Sequence, residues 1–286
     1  FNQVLLLNNS CDQKIKNNWK FIKPCISGYL IKESYEKTKI NRLDNLINFE
    51  TQKETKPENN SSKNLPIIKE DEFIELRNIG IGYGFKVTLI YYIESEELCA
   101  QKEQNCNKEE IKELSDREIQ NYSKVQHPLI PKFIGVGPNK KYLIIEFING
   151  RTLLEINELQ LNFIEKITIF AELLIIFEFL HRKEFIYRDL KPNNIIIDEN
   201  KTAVLIDFDQ ENSISTTTND FFSPYCAPEV NEINFSYECD IYSLGHVFLY
   251  IMNPNMKYEQ RLNEISKSNR FKGIIEVITN SINEES

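Results

Sequence analysis

The stretch Tyr187-Arg188-Asp189-Leu190-Lys191-Pro192-Asn193-Asn194 restricts this chain more than any other segment. An aspartate, a lysine two residues on and an amide five residues on share one loop, stiffened by a proline that fixes its own backbone. An acidic group beside a lysine and an amide suits taking a proton from a hydroxyl, neutralising a phosphoryl group in transfer and binding Mg²⁺. Such a loop has to be held rigidly by its flanks, and the flanks read clearly. Before it, residues 162–181 place apolar side chains at 163, 164, 167, 170, 171, 174, 175 and 177, the pattern of a helix buried on most of its circumference. After it, residues 195–197 and 203–206 surround Asp198-Glu199-Asn200, a strand–turn–strand.

The two sides of Gly150 differ in character. Upstream, strands are expected over residues 73–79, 85–93 and 141–147, and the alternation of Leu98, Ala100 and Lys102 places the last two on one face of a further strand. Residues 108–125 read as a charged helix. Downstream, helices are expected over 241–252 and 271–283. The expected class is α+β, with a small β-rich part followed by a larger helical one.

Charge and cysteine usage narrow the function. Lys and Arg number 34 against 43 Asp and Glu, a net charge of −9. That balance disfavours nucleic acid and a polybasic membrane anchor, both of which need basic patches. The most apolar run, 167–180, is broken by Glu172 and Glu178 and is too short to cross a bilayer. A charged n-region followed by an apolar h-region is not visible at the start, so a signal peptide is not expected. Six cysteines without a CxxC pair suggest reduced thiols and a cytoplasmic protein, and zinc is not expected. The chain starts at Phe1 and is expected to be part of a longer one. Residues 1–69 carry 12 basic and 7 acidic side chains, whereas the rest carry 22 and 36, a net −14. Within that first portion, 51–64 has a linker composition, so 1–69 is expected to be an extension and connector without chemistry of its own.

Other constellations are weaker one by one. Gly80-Ile81-Gly82-Tyr83-Gly84 joins two strands; read alone it is a turn, although glycines also let a backbone approach a phosphate. Lys102, with Glu118 sixteen residues later, reads alone as an exposed edge lysine. Asp207-Phe208-Asp209 puts a carboxylate at a strand end, where it needs a cation or a metal. Ala227-Pro228-Glu229 precedes Asp240, whose position at the start of an apolar helix suggests a cap.

Taken together, in this order and spacing over residues 70–286, these motifs resemble a eukaryotic-type protein kinase domain of the serine/threonine kind. The resemblance implies a bilobal fold, with an N-lobe over 70–148 and a C-lobe over 149–286, and ATP and Mg²⁺ as cofactors. It implies that Ile79, Gly80, Ile81 and Gly82 belong to the loop over the phosphates and that Val87 and Ala100 cover the adenine. It further implies that Lys102 holds the α- and β-phosphates and pairs with Glu118, which lies nine residues before His127-Pro128. Glu146 to Ile148 would form the hinge with Ile145 as gatekeeper, and Ile196 joins the nucleotide-contacting set. Asp189 matches the catalytic base, Lys191 the γ-phosphate contact, and Asn194 and Asp207 the metal ligands.

Four departures stand against the family pattern. Gly84-Phe85 replaces the usual aromatic–glycine pair, so the loop is expected to close differently on the γ-phosphate. Asp209 stands where glycine is usual, Tyr187 stands where histidine is usual, and the arginine that normally pairs with the Glu229 position is not seen before Ser286. Because Lys102, Glu118, Asp189, Asn194 and Asp207 are all present, the leading expectation is an active serine/threonine kinase. A pseudokinase scaffold that binds nucleotide or partners is the alternative, and a small-molecule kinase is a third, less favoured because of Ala227-Pro228-Glu229. Arg188 before the base implies control by phosphorylation, by an upstream kinase or by the chain itself, at Thr216, Thr217 or Thr218 in a cluster with Ser213 and Ser215. The substrates are expected to be basic proteins. Thr152 and Asn193 occupy the places where arginine-directed kinases carry glutamates, so no strict upstream arginine is expected.

Overall fold

The computed structural model describes residues 42, 43, 45, 46, 65–81, 85–104, 116–208, 225–227, 237–257, 260 and 261. The Gly82-Tyr83-Gly84 tip, the 51–64 linker, Asp209, the hydroxyl residues Ser213, Ser215 and Thr216 to Thr218, Pro228, Glu229 and the helix expected over 271–283 lie outside the described residues.

The chain groups into two compact units. The smaller takes in the described residues of Glu58–Gly150 and Val204–Asn212. Its sheet runs in the order β1-β2-β3-β5-β4, built from β1 (Phe73–Ile81), β2 (Phe85–Tyr92), β3 (Glu97–Gln104), β4 (Phe133–Val136) and β5 (Tyr142–Glu146). All four pairings are antiparallel. Helix α1 (Asp116–Lys124) accompanies the sheet. Alternation explains the core: Ile90, Tyr92, Cys99, Tyr142 and Ile144 turn inward and pack with Phe73 and Ile68. Ile68 belongs to a segment that lies along β4, with Ile67 bridged to Val136. Gly135 permits that closeness, because a Cβ there would come within 2.8 Å of both Ile68 Cδ1 and Pro66 O.

The larger unit takes in the described residues of Phe1–Pro57, Arg151–Ala203 and Ser213–Ser286. Helix α2 (Phe163–Arg182) starts where Asn162 accepts hydrogen bonds from Ile164 N–H and Glu165 N–H while Glu165 reaches back to Asn162 N–H, a reciprocal cap. Residues 167–181 are buried without interruption, as a helix apolar all round requires. The Phe170 ring packs 4.6 Å from Phe248 of α3 (Glu238–Met252). A small sheet in the order β6-β7-β8 comprises β6 (Gly150–Thr152), β7 (Ile195–Asp198) and β8 (Ala203–Leu205). The short strands β4 and β6 escaped the sequence reading, whereas the equally short β7 and β8 were legible through the Asp198-Glu199-Asn200 turn signal between them. No helix among the described residues is long and apolar enough to cross a membrane.

His246 of α3 is 1% exposed and stacks on Tyr242 at 4.2 Å, with Tyr225 edge-on at 6.4 Å. Burial, and then the charge of Arg261, push its pKa down to about 4. The unfolded chain therefore binds a proton that the folded one refuses between its ordinary value of 6.5 and about 4. Stability contributed by neutral His246 is present above that window and is lost as pH falls through it, by on the order of 3 kcal/mol in full. Chemical denaturation of wild type and His246→Phe between pH 7 and 4 should show the shallower loss in the variant. Equal slopes would remove His246 as the cause.

Candidate active site

In the smaller unit, β3 runs between β2 and β5 and places Lys102 opposite Val87 on one side and Leu143 on the other. A lysine among such neighbours needs anionic partners, and it has two. Lys102 Nζ donates to Glu118 Oε1 at 2.6 Å and to Asp207 Oδ1 at 3.0 Å. The Glu118 side chain, on α1, is fully buried. The ammonium also lies 4.8 Å from the centre of the Phe85 ring, within cation–π range. Burial works against the charge, yet the Asp207 and Glu118 carboxylates outweigh it and hold the Lys102 pKa above the ordinary lysine value. Lys102 is thus a fixed cation.

Asp207 is positioned by α1 as well. Its backbone N–H donates to the Tyr122 hydroxyl at 3.0 Å, and Asn121 Nδ2 donates to the next carbonyl, Phe208 O, at 3.0 Å. The Tyr122 and Phe208 rings pack edge-on at 5.1 Å. These bonds hold Asp207 at φ 63, in the left-handed region. Burial and the nearby carboxylates of Glu118 and Asp207 raise the Tyr122 pKa, so the phenol stays protonated.

Of the expected nucleotide-contacting residues, Ile79, Gly80, Ile81, Val87, Ala100, Lys102 and Glu146 lie in this sheet. Gly80 pairs with Val87 across β1 and β2, and Ala100 pairs with Ile145 across β3 and β5. Ile79 is half-buried and Ile81 is exposed at the end of β1. A Cβ at Gly80 would meet Val87 Cβ at 3.7 Å, an ordinary contact, so the packing within the strands does not itself demand glycine. Glu146 ends β5, its N–H bonded to Lys132 O at 2.9 Å, and Ile148 follows in the irregular segment before β6.

In the larger unit, Asp189, Lys191 and Asn194 come together. Lys191 Nζ donates to both carboxylate oxygens of Asp189, at 2.9 and 2.8 Å. Asn194 Nδ2 donates to Asp189 Oδ2 and to Asp189 O, each at 2.8 Å. Pro192 opens the short 3₁₀ turn Pro192–Asn194 that makes this spacing reach. Asn193 is exposed, and Ile196 is half-buried between the buried Ile195 and Ile197 of β7.

Asp240 holds this loop from below, which corrects its reading as a helix cap. The residue preceding α3 is Tyr237, which makes no side-chain cap, and Asp240 points instead to the loop. Its Oδ2 accepts from Tyr187 N–H at 2.9 Å and its Oδ1 from Arg188 N–H at 2.8 Å. His181 Nε2 lies 2.9 Å from Oδ2. Arg188 has φ 67, which a long side chain rarely adopts. The two bonds from Asp240 pin that turn, one residue before Asp189. The Tyr187 ring, where a histidine is usual, packs edge-on against Phe177 at 5.7 Å. Asp240→Ala strands the buried Tyr187 N–H, at about 1–3 kcal/mol, together with the part-buried Arg188 N–H, and Asp240→Asn strands fewer. Thermal unfolding is expected to rank wild type, Asp240→Asn and Asp240→Ala in falling order. An alanine variant as stable as wild type would contradict this anchoring.

Tyr122 and Asn121 were not legible in the sequence, since neither belongs to a spaced motif, and for Asp240 and Phe85, which motifs do single out, the sequence left their partners unnamed. The two residues expected to bind Mg²⁺ offer suitable chemistry, one in each unit. Asn194 commits its amide nitrogen to Asp189, so its oxygen is the atom that remains for a cation. Asp207 commits Oδ1 to Lys102 and is 41% exposed. Hard oxygen donors of this kind fit Mg²⁺. No group of three or more His, Cys, Asp or Glu placed to hold a metal ion occurs among the described residues.

The sequence profile of the protein kinase domain matches residues 73–286. A probable serine/threonine-protein kinase of Dictyostelium discoideum is 29% identical over 227 residues, covering 72% of this chain and 38% of the relative. A second from the same organism is 29% identical over 223 residues, 71% of this chain and 48% of the relative. A serine/threonine-protein kinase of Schizosaccharomyces pombe is 32% identical over 199 residues, 64% and 31% respectively. The chain thus spans less than half the length of these relatives.

Proposed function

Because the chain belongs to the protein kinase domain family, we propose that it transfers the γ-phosphoryl group of ATP to serine and threonine hydroxyls of protein substrates. The observation that carries this reading is the cation Lys102, held at once by Glu118 and Asp207. Phosphoryl transfer is accelerated chiefly by positioning and by charge stabilisation, which a fixed ammonium supplies. In this reading Lys102 binds the α- and β-phosphates. Gly80, unrequired by its own strand, keeps the roof low enough for the phosphates to approach. Asp189 accepts the proton of the substrate hydroxyl, with Lys191 and Asn194 orienting its carboxylate and Lys191 meeting the γ-phosphate. Asn194 and Asp207 would hold Mg²⁺, which when bound neutralises phosphate charge.

The test is incubation of the chain with ATP, Mg²⁺ and a basic protein, followed by phosphoamino-acid determination. Phosphoserine or phosphothreonine is expected. Nucleotide binding without transfer would favour the second reading, a nucleotide-binding pseudokinase scaffold. The observation favouring that reading is Phe85, which replaces a family glycine and sets its ring against the Lys102 ammonium.

The substrate preference follows from charge. The −14 carried after residue 69 attracts basic segments at long range. Thr152, bonded to Glu155, and the exposed Asn193 bring no charge to the places that read an upstream arginine. A peptide array at two ionic strengths should therefore show a salt-sensitive basic preference without one fixed arginine position. A sharp, salt-insensitive arginine requirement would refute it. Phosphorylation of Thr216, Thr217 or Thr218, read by Arg188, and a cytoplasmic setting complete the proposal; mass spectrometry of active enzyme tests the former.

A further inference from the structure

Glu172 stands in the middle of α2 with its side chain fully buried. A carboxylate in such a place is costly unless it is paired and hydrogen-bonded. One oxygen, Oε2, accepts the Ala203 N–H at 2.8 Å. The other, Oε1, takes Arg42 Nη2 in a salt bridge. Arg42 is the only cationic side chain paired with Glu172 among the described residues, and it lies 31 residues before the start of the family match at 73.

The two terminal guanidinium nitrogens also read the turn between β7 and β8, while Nε is buried without a hydrogen-bond partner. Arg42 Nη1 donates to Asn200 O at 3.2 Å and to Thr202 Oγ1 at 3.1 Å, and Nη2 approaches Lys201 O at 3.4 Å. One carboxylate, two carbonyls and a hydroxyl are thus addressed by one planar fork. An ammonium group could not span that set, so the site is built for arginine. The turn is itself organised for the purpose, because Asp198 Oδ1 accepts Thr202 N–H at 2.7 Å.

Arg42, Leu43, Asn45 and Leu46 are helical, and Leu43 and Leu46 are 3% and 6% exposed. Three residues apart, they share one helix face. Leucines exposed so little are covered by other parts of the chain. Charge agrees with the arrangement: the first 69 residues are net basic, and the surface that receives Arg42 presents a carboxylate and carbonyl oxygens.

We propose that the surface of the larger unit formed by Glu172 and the Asn200–Thr202 turn is a recognition site for a segment of the pattern Arg-Leu-x-x-Leu, occupied here in cis by Arg42 to Leu46. The extension is then no passive connector but an intramolecular clamp on the hairpin that follows Asn194. Burial raises the Glu172 pKa to about 7 even with Arg42 and the Ala203 N–H opposing it, with Asp198 adding a further rise. Loss of Arg42 leaves that carboxylate to take up a proton or to disrupt its surroundings.

Thermal unfolding and hydrogen exchange of the complete chain test the clamp. Arg42→Ala is expected to lower Tm by about 5–10 °C and to speed amide exchange across residues 195–205. The shift should shrink by half or more in a Glu172→Gln background, because the two side chains act on each other. Arg42→Lys, which keeps the charge and loses the fork, should fall between wild type and alanine, and serves if the alanine variant does not fold. A fluorescent peptide spanning residues 38–50 completes the test. It should bind the Arg42→Ala/Leu43→Ala/Leu46→Ala chain at least about tenfold more tightly than wild type, whose own segment competes at high effective concentration. Unchanged Tm and exchange in both Arg42 variants, or equal peptide binding to wild type and the triple variant, would overturn the proposal. None of these readouts depends on kinase activity.

Discussion

Lys102→Met is expected to lower phosphoryl transfer by about 10²–10³-fold, the scale of losing one preorganised charge at a reacting group. That charge is firmly held. Two carboxylates, at 2.6 and 3.0 Å, keep the ammonium in place and raise its pKa, so no proton has to be gained when a phosphate arrives. Methionine matches the stem and removes the cation. It also leaves the fully buried Glu118 without that partner, so the fold is expected to lose stability along with activity. Measuring kcat and Tm together separates the effects: Lys102→Arg keeps a positive charge and should spare Tm more than kcat. Transfer retained in Lys102→Met would remove this residue from the reaction.

Asp189→Asn carries a comparable loss through a different step. The Asp189 carboxylate receives Lys191 and Asn194 in hydrogen bonds of 2.8–2.9 Å, which set its direction without requiring it to be protonated. Asparagine keeps the size and cannot take a proton, and the group that faced Lys191 would present an NH₂ on one side. General-base loss is worth about 10²–10⁴ in rate. Nucleotide affinity is expected to stay near that of wild type, since Asp189 is assigned to the hydroxyl and not to the nucleotide. A fall in kcat with an unchanged nucleotide Kd is therefore the expected result. An unchanged kcat would move the base role away from Asp189.

The comparison of the two clusters shows where a sequence reading reaches. The alternation at Ala100 and Lys102, the loop from Tyr187 to Asn194 and the carboxylate at Asp207 are local patterns, readable because strand period, proline stiffness and short spacings act over a few residues. Resemblance in order and spacing then joined them into one family. The helix at 162–181 was legible for the same reason, whereas its reciprocal cap of Asn162 and Glu165 emerged only from the structure.

By itself, the sequence of this protein determined the α+β class, the family and most strands and helices of the described residues, and it named the residues proposed to carry the chemistry, because each is written in short-range pattern or in the order of motifs. Only the tertiary structure decided what holds those residues still. Asp240 serves backbone groups 52 and 53 residues away, Tyr122 serves Asp207 across 85, and Arg42 serves Glu172 across 130. Phe85 against Lys102 came from the register of β2 on β3. These choices are made by burial: a polar group driven inside must find a partner wherever the packed chain supplies one, and no local pattern marks which distant residue that will be.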